Sequence, residues 1–278
     1  MNKISICQAW SYATSFFSGQ GANHAILLIG VGIVVPLILQ FALGGGTAMV
    51  DPMMMATGGG LMAMGAFAMV LALVNYILQM GSYFASWRIG LTNGGEPLGS
   101  ALVFGLVAAL PVLLLTLVVA LVVGLIMFMI FGSAFMAMAS GGEPSNPGSI
   151  LLFIFLFFIF LLWLASRLSC TGPVMADRRT FNVLTGLIES WRMTAASQWK
   201  IFGYFILLGV ALLVIFMILG MIVGVSMFAG GGVPGGGSLV GLAVGGLVMG
   251  IPIAYLQVGV PAGIYRALGG ARPADVFV

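Results

Sequence analysis

Side chains that titrate, coordinate or attack are scarce in this chain, and catalysis needs several of them in one constellation. There is one histidine, His24, there are two cysteines, Cys7 and Cys170, and six acids stand against nine Lys and Arg in 278 residues. A lone histidine without acids or thiols beside it makes no metal site, and no HExxH, CxxC or P-loop pattern occurs. No serine sits in a GxSxG turn with a histidine and an acid to match. His24 precedes the first apolar run and reads as a polar residue at a membrane interface. Both thiols fall on the side assigned below to the cytoplasm, so they are expected to stay reduced and unpaired, as small apolar fillers. Enzymatic activity is not expected, nor is any metal or other cofactor.

Methionine offers the one remaining soft-ligand chemistry. Most of the nineteen, among them Met53, Met54, Met55, Met127, Met129 and Met217, fall toward the side opposite the basic residues. Thioether sulfur suits Cu(I), yet no Cys or His accompanies these residues, and adaptable apolar filling is the expected role. Inside the long apolar runs stand Asn75, Gln79 and Gln257, the first two at i,i+4 on one helix face. They suit either a polar lining for a small solute or hydrogen bonds between helices. No Asp, Glu, Lys or Arg falls near the middle of any apolar run, which argues against a proton relay.

The elements that carry these residues follow from composition. Charged residues make up 5% of the chain and apolar ones 62%. Soluble domains carry about a quarter charged residues, so a bilayer must be the solvent for most of this protein. The net charge of +3 is too small and scattered to suggest nucleic acid. Residues 4–18 read as an amphipathic helix in the interface plane, with Ile6, Trp10, Ala13 and Phe17 on one face. Six spans follow, near 25–43, 61–87, 99–131, 149–165, 201–228 and 239–265, each close to or above the roughly 20 residues a hydrocarbon core requires. The third is too long for a straight crossing and is expected to tilt, to begin along the interface or to bend at Pro111. Glycine pairs at spacing four, Gly220/Gly224 and Gly237/Gly241/Gly245, favour close helix packing without naming the partner.

Charge gathers only in Asp177–Lys200. There Phe181, Leu184, Ile188, Trp191 and Ala195 share a helix face, Asp177, Arg178 and Arg179 are expected to cap its start, and Glu189 and Arg192 lie on its wet side. With six spans, Lys3, Arg88, Arg167, Arg178, Arg179, Arg192, Lys200, Arg266 and Arg272 all fall on one side, while the opposite loops carry Asp51 and Glu143. The positive-inside rule makes that basic side cytoplasmic, with both termini on it.

The expected fold is therefore an all-α integral membrane protein: six transmembrane helices in one domain, arranged as three hairpins with interfacial helices. The hairpins cover about 1–93, 94–179 and 180–278. Aligning Arg88 with Arg266 also pairs Gln79 with Gln257, Gly81 with Gly259 and Trp87 with Tyr265, which suggests an internal repeat about an axis along the membrane normal. The order SWRMTAASQWKIFGYFILLG (Ser190–Gly209), after an arginine-bearing loop, resembles a poorly characterised group of bacterial multi-pass proteins related to the membrane domain of some glycerophosphodiester phosphodiesterases. That resemblance implies six helices with interfacial segments, the bacterial inner membrane and a role near membrane lipids. The phosphodiesterase chemistry does not carry over, because its soluble catalytic domain has no counterpart here. The expectation is a non-enzymatic protein organising lipids, anionic ones included, or partner proteins at the cytoplasmic face, through Arg88, Arg167, Arg178, Arg179, Arg192, Lys200 and Arg266. The alternatives are a transporter or exporter of a small neutral or amphipathic compound, and a membrane subunit whose activity lies in a separate chain; a protein partner or a homo-oligomer is left open.

Overall fold

The computed structural model describes residues 5–43, 59–92, 94–139, 147–229 and 236–270, and among these every regular element is helical. We number the helices α1 Ile6–Ser15, α2 Gly21–Ala42, α3 Gly59–Leu91, α4 Leu98–Ala139, α5 Pro147–Leu168, α6 Thr171–Arg178, α7 Val183–Thr194, α8 Gln198–Ala229 and α9 Gly236–Ala267. Six helical segments are long and apolar enough to cross a membrane. Lys3, Asp51, Glu143 and Arg272 lie outside the described residues, as do the surroundings of the glycine pairs of α8 and α9 and most of the methionine side chains.

The buried core is concentrated at the end of the bundle that carries the arginines. Tyr83, Phe84 and Trp87 of α3, Val174 and Met175 of α6 and Val258, Ile264 and Tyr265 of α9 meet there. Away from that end the helices turn large apolar side chains outward, such as Leu114, Leu121 and Met129 on α4 and Phe155 and Phe158 on α5. In water such surface would aggregate; in a bilayer it is the solvated surface. α4 is a single helix of 42 residues with Pro111 inside it. At 1.5 Å per residue it is about 63 Å long, twice a hydrocarbon core of about 30 Å. Its first turns are spent in protein contact, through buried Ala101, Phe104, Ala108 and Ala109.

α3 and α4 form the most extensive helix pair, followed by α3 with α2 and α1 with α9. The α3–α4 turn closes at Gly94, whose φ of +77° admits glycine and strains other residues. α2 is π-helical over Ile26–Val34, a local widening that the spacing of apolar residues did not indicate. Pro36 follows in the next turn and has no N–H to give to the preceding carbonyls. The widened turn brings Gly32 so close to α3 that a Cβ there would lie 2.6 Å from Ser82 Oγ.

The face of α1 that meets α9 carries Ala9 and Ala13, which are buried, as is Phe16 just beyond the helix, while Ile6 and Trp10 are exposed. The approach to α9 is close: a Cβ on Gly263 would stand 2.8 Å from that of Ala13, and one on Gly259 would lie 2.8 Å from the Phe17 ring. Two expectations are corrected. His24 is not interfacial but wholly buried, because α1 folds back and lays Phe16 and Phe17 over it, with ring centroids 5.2 and 5.0 Å away. Asp177–Arg179 do not open the amphipathic helix; they end α6, with Arg179 in the left-handed region at φ +53°. α7 begins instead at Asn182, whose Oδ1 accepts from the Thr185 N–H at 3.3 Å.

Candidate functional site: the arginine-bearing end

Helix ends leave carbonyls without intrahelical partners, and at this end arginines satisfy several of them. Arg88, in the last turn of α3, donates to the carbonyls of Ala176 and Asp177 at 2.9 and 3.1 Å, closing the C-terminus of α6. Its Nε forms an ion pair with Glu96 in the α3–α4 turn. Arg266, in the last turn of α9, donates to the Gly90 carbonyl at the end of α3, at 2.7 Å, and lies over the Phe16 ring. Positive charge at a helix C-terminus also complements its dipole.

The aromatic residues of the aligned segments act in the same layer. Trp87 Nε1 donates to the Val258 carbonyl at 2.8 Å, and the Tyr265 hydroxyl donates to Asp177 Oδ2 at 2.7 Å. Glu96 is the acidic hub: Ser100 donates to it at 2.7 Å, and Arg179 stands 3.7 Å away. Burial pushes the Glu96 carboxyl up, but the hydrogen bonds from Ser100 and Arg88 and the charges of Arg88 and Arg179 outweigh it and hold the group below its ordinary value.

α7 shows two unlike faces. Val183, Gly186, Ser190 and Thr194 turn inward. The Ser190 hydroxyl accepts from the Cys170 N–H at 3.1 Å and donates to the Arg167 carbonyl at 2.9 Å, bridging the break between α5 and α6. Leu184, Ile188 and Trp191 share one exposed side of α7, as their spacing predicts, whereas Phe181, expected on the same helix face, precedes the helix with its ring centroid 5.2 Å from that of buried Phe104, and Ala195 lies just past the helix end. The small and hydroxylated residues do the packing.

The arginines and lysine singled out from the sequence therefore divide into two groups. Arg88, Arg167 and Arg266 are drawn into the protein, while Arg178, Arg179, Arg192 and Lys200 stay exposed. Arg178 is paired with Glu189. Arg179 is 60% exposed and contacts a carboxylate already held by Arg88 and Ser100. Two clefts open beside these exposed cations. One, of about 310 Å³, lies along α4 at Gly99, Ser100, Val103 and Val107, with Arg179 and Phe181 on its edge. The other, of about 380 Å³, lies between α5 and α7 with Arg192 on its edge.

Asn75, Gln79 and Gln257 line neither cleft. Asn75 is half-buried with its Oδ1 unpartnered, and Gln79 and Gln257 are exposed. The polar contact between α3 and α4 is made instead by the Tyr76 and Thr116 hydroxyls, 3.0 Å apart. His24 Nδ1 lies 2.6 Å from Ser86 Oγ, an arrangement that needs long-range packing and leaves no trace in local spacing. Cys7 is exposed and Cys170 buried, both as free thiols. Among the described residues no group of three or more His, Cys, Asp or Glu is placed to hold a metal ion.

The architecture is that of a multi-pass, all-helical membrane protein with a polar interlock at one end. Searches against protein-family models, curated proteins and solved structures find no match.

Proposed function

We propose that this chain is a non-enzymatic protein of the bacterial inner membrane that organises lipids, anionic ones in particular, at the cytoplasmic face. The basic end is taken as cytoplasmic by the positive-inside rule. The observation that carries the reading is α7: its outer face bears Leu184, Ile188 and Trp191 to the lipid, and exposed Arg179 and Arg192 flank it. Each such arginine beside an anionic leaflet adds about 1 kcal/mol of attraction. The two clefts strengthen it, because each joins apolar walls to an arginine at its edge. The resemblance of Ser190–Gly209 to proteins with a role near membrane lipids points the same way. A relation between the first and third copies of the repeat is supported by the paired duties of Arg88 and Arg266, each of which donates to a carbonyl at the end of a neighbouring helix.

The test is lipid composition in patches of native membrane excised with a polymer. The wild-type patch should be enriched in anionic lipid over bulk membrane, and an Arg179→Gln, Arg192→Gln double variant should lose most of that enrichment. Equal composition for wild type and bulk would refute the reading. Orientation is tested separately: an alkaline phosphatase fusion should be active at Glu143 and silent at Ala274, and the reverse pattern would overturn it.

A further inference from the structure

We propose that the polar cavity between the α1–α2 turn and the C-terminal ends of α3 and α9 binds one phosphate group, with Arg266 as its cation. The cavity is about 280 Å³, and Ser15, Phe16, Ser18, Gln20, Gly90 and Arg266 line it. Unlike the clefts beside Arg179 and Arg192, its wall is mainly polar. The inference rests on the cytoplasmic placement of this end and not on how α7 meets lipid.

Arg266 is half-buried, donates to the Gly90 carbonyl at 2.7 Å and lies over the Phe16 ring, yet its Nε has no partner. A guanidinium does not lose its proton in a protein, so the charge is permanent. The carbonyl and the ring carry no net charge to cancel it. Among the described residues the acids are engaged elsewhere: Glu96 with Arg88 and Arg179, Glu189 with Arg178, and Asp177 with the Tyr265 hydroxyl. α1 and α2 contain no Asp or Glu at all. Water can hydrate the edge of a guanidinium, but only an anion balances a unit charge half withdrawn from solvent.

The rest of the wall suits an oxyanion. Gln20 Oε1 accepts from Asn23 Nδ2 at 2.6 Å, so the amide meets anything else with its N–H groups. Gly94 makes room for that amide, since a Cβ there would stand 2.1 Å from Gln20 Nε2. The Ser15 and Ser18 hydroxyls donate to the Tyr12 and Ser15 carbonyls, and each can rotate its proton toward an incoming oxygen. The arginine fork matches phosphate oxygens. Phosphate is also the oxyanion of this depth: α1 exposes Trp10, a residue type that sits at the level of the lipid headgroups. The group can arrive on a lipid headgroup or as soluble phosphate.

The experiment is thermal unfolding of the full chain in mild detergent, at an ionic strength held constant with chloride. One arm is titrated with inorganic phosphate and the other with short-chain phosphatidylglycerol, against diacylglycerol of the same chains as the phosphate-free control. The midpoint should rise and saturate as a single site. A rise with inorganic phosphate assigns a soluble ligand; a rise with phosphatidylglycerol alone assigns a headgroup. Gln20→Glu is isosteric, keeps the acceptor for Asn23 and brings a carboxylate to the cavity. It should raise the midpoint without phosphate, by giving Arg266 a counter-ion within the chain, and weaken phosphate binding about tenfold, the effect of one like charge a few ångströms away. Arg266→Gln should abolish the response, and should that variant not fold, Gln20→Glu decides alone. No response to either probe, a response equal to that of diacylglycerol, or one that Gln20→Glu leaves unchanged would overturn the site. If the membrane patches are enriched in anionic lipid while neither probe shifts the midpoint, this site fails and the proposed function stands. A saturable phosphate response without that enrichment leaves this site standing and the lipid reading refuted.

Discussion

Gly172→Ala adds one methyl group to the structure, and its sign separates helix propensity from packing. In an open helix interior the change stabilises by about 1 kcal/mol. At Gly172 of α6 the new Cβ would fall on the six-membered ring of Trp87, with Cε3 at 2.7 Å and Cζ3 and Cη2 closer still. Trp87 cannot retreat: it is 8% exposed, tied to the Val258 carbonyl and packed edge-on against Phe84. Overpacking of this kind costs about 1–3 kcal/mol, so net destabilisation of about 1 kcal/mol is expected once the propensity gain is subtracted. Trp87→Phe alone loses the hydrogen bond and ring volume, but it clears the space, so in that background Gly172→Ala becomes neutral or stabilising. The coupling in the double-mutant cycle should be about 2 kcal/mol. Unfolding in detergent followed by circular dichroism measures it, with Gly209→Ala, where nothing lies within 4 Å of an added Cβ, as the unstrained control. A stabilising Gly172→Ala in the wild-type background, or an additive cycle, would refute the reasoning.

Two further perturbations address the polar interlock. Glu96→Gln strands the half-buried Arg88 and should destabilise by about 3 kcal/mol at neutral pH. Because the folded carboxyl lies below its ordinary value of 4.5, its contribution is complete above that pH and fades as pH falls through the lowered value. The unfolding midpoint of the wild type should therefore drop in acid, and the variant should lose that part of the pH dependence; parallel curves would discount the hub. Ser190→Ala strips the Cys170 N–H of its Ser190 acceptor, while the Arg167 carbonyl keeps the Thr194 hydroxyl at 3.1 Å, for a loss of about 1–3 kcal/mol. Its readout is maleimide labelling: Cys7 should react quickly in both proteins, while buried Cys170 should react only slowly in wild type and faster in the variant. Equal rates at Cys170 would show that the bridge contributes little.

The helical spans were legible because a bilayer imposes a simple rule: about 20 apolar residues, charge only at the ends. The outward face of α7 was legible for a related reason, since large side chains at 3.6-residue spacing mark the face a helix gives to lipid or core. What spacing cannot say is which of those two it is. Leu184, Ile188 and Trp191 face outward, while the buried positions of α7 are Val183, Gly186, Ser190 and Thr194, whose mostly small side chains carry no strong periodic signal. In α1 too the named stripe divides: Ala13 is buried against α9 while Ile6 and Trp10 are exposed.

The arginines show the division most clearly. From the sequence alone Arg88, Arg167 and Arg266 were equivalent charges at the ends of apolar runs, Arg178, Arg179 and Arg192 belonged to one amphipathic segment, and their shared side followed from counting spans. Contacts between residues far apart in the chain then separated them. Arg88 and Arg266 close the carbonyl ends of neighbouring helices, and Arg178 pairs with Glu189. Arg179 and Arg192 stay exposed, and Arg167 is buried against Trp191 with part of its guanidinium unsatisfied. Composition and hydropathy determine where charge stands along the membrane normal, because solvation free energy depends on depth. Only tertiary structure decides which of those charges the protein itself neutralises, because that depends on which helix ends meet.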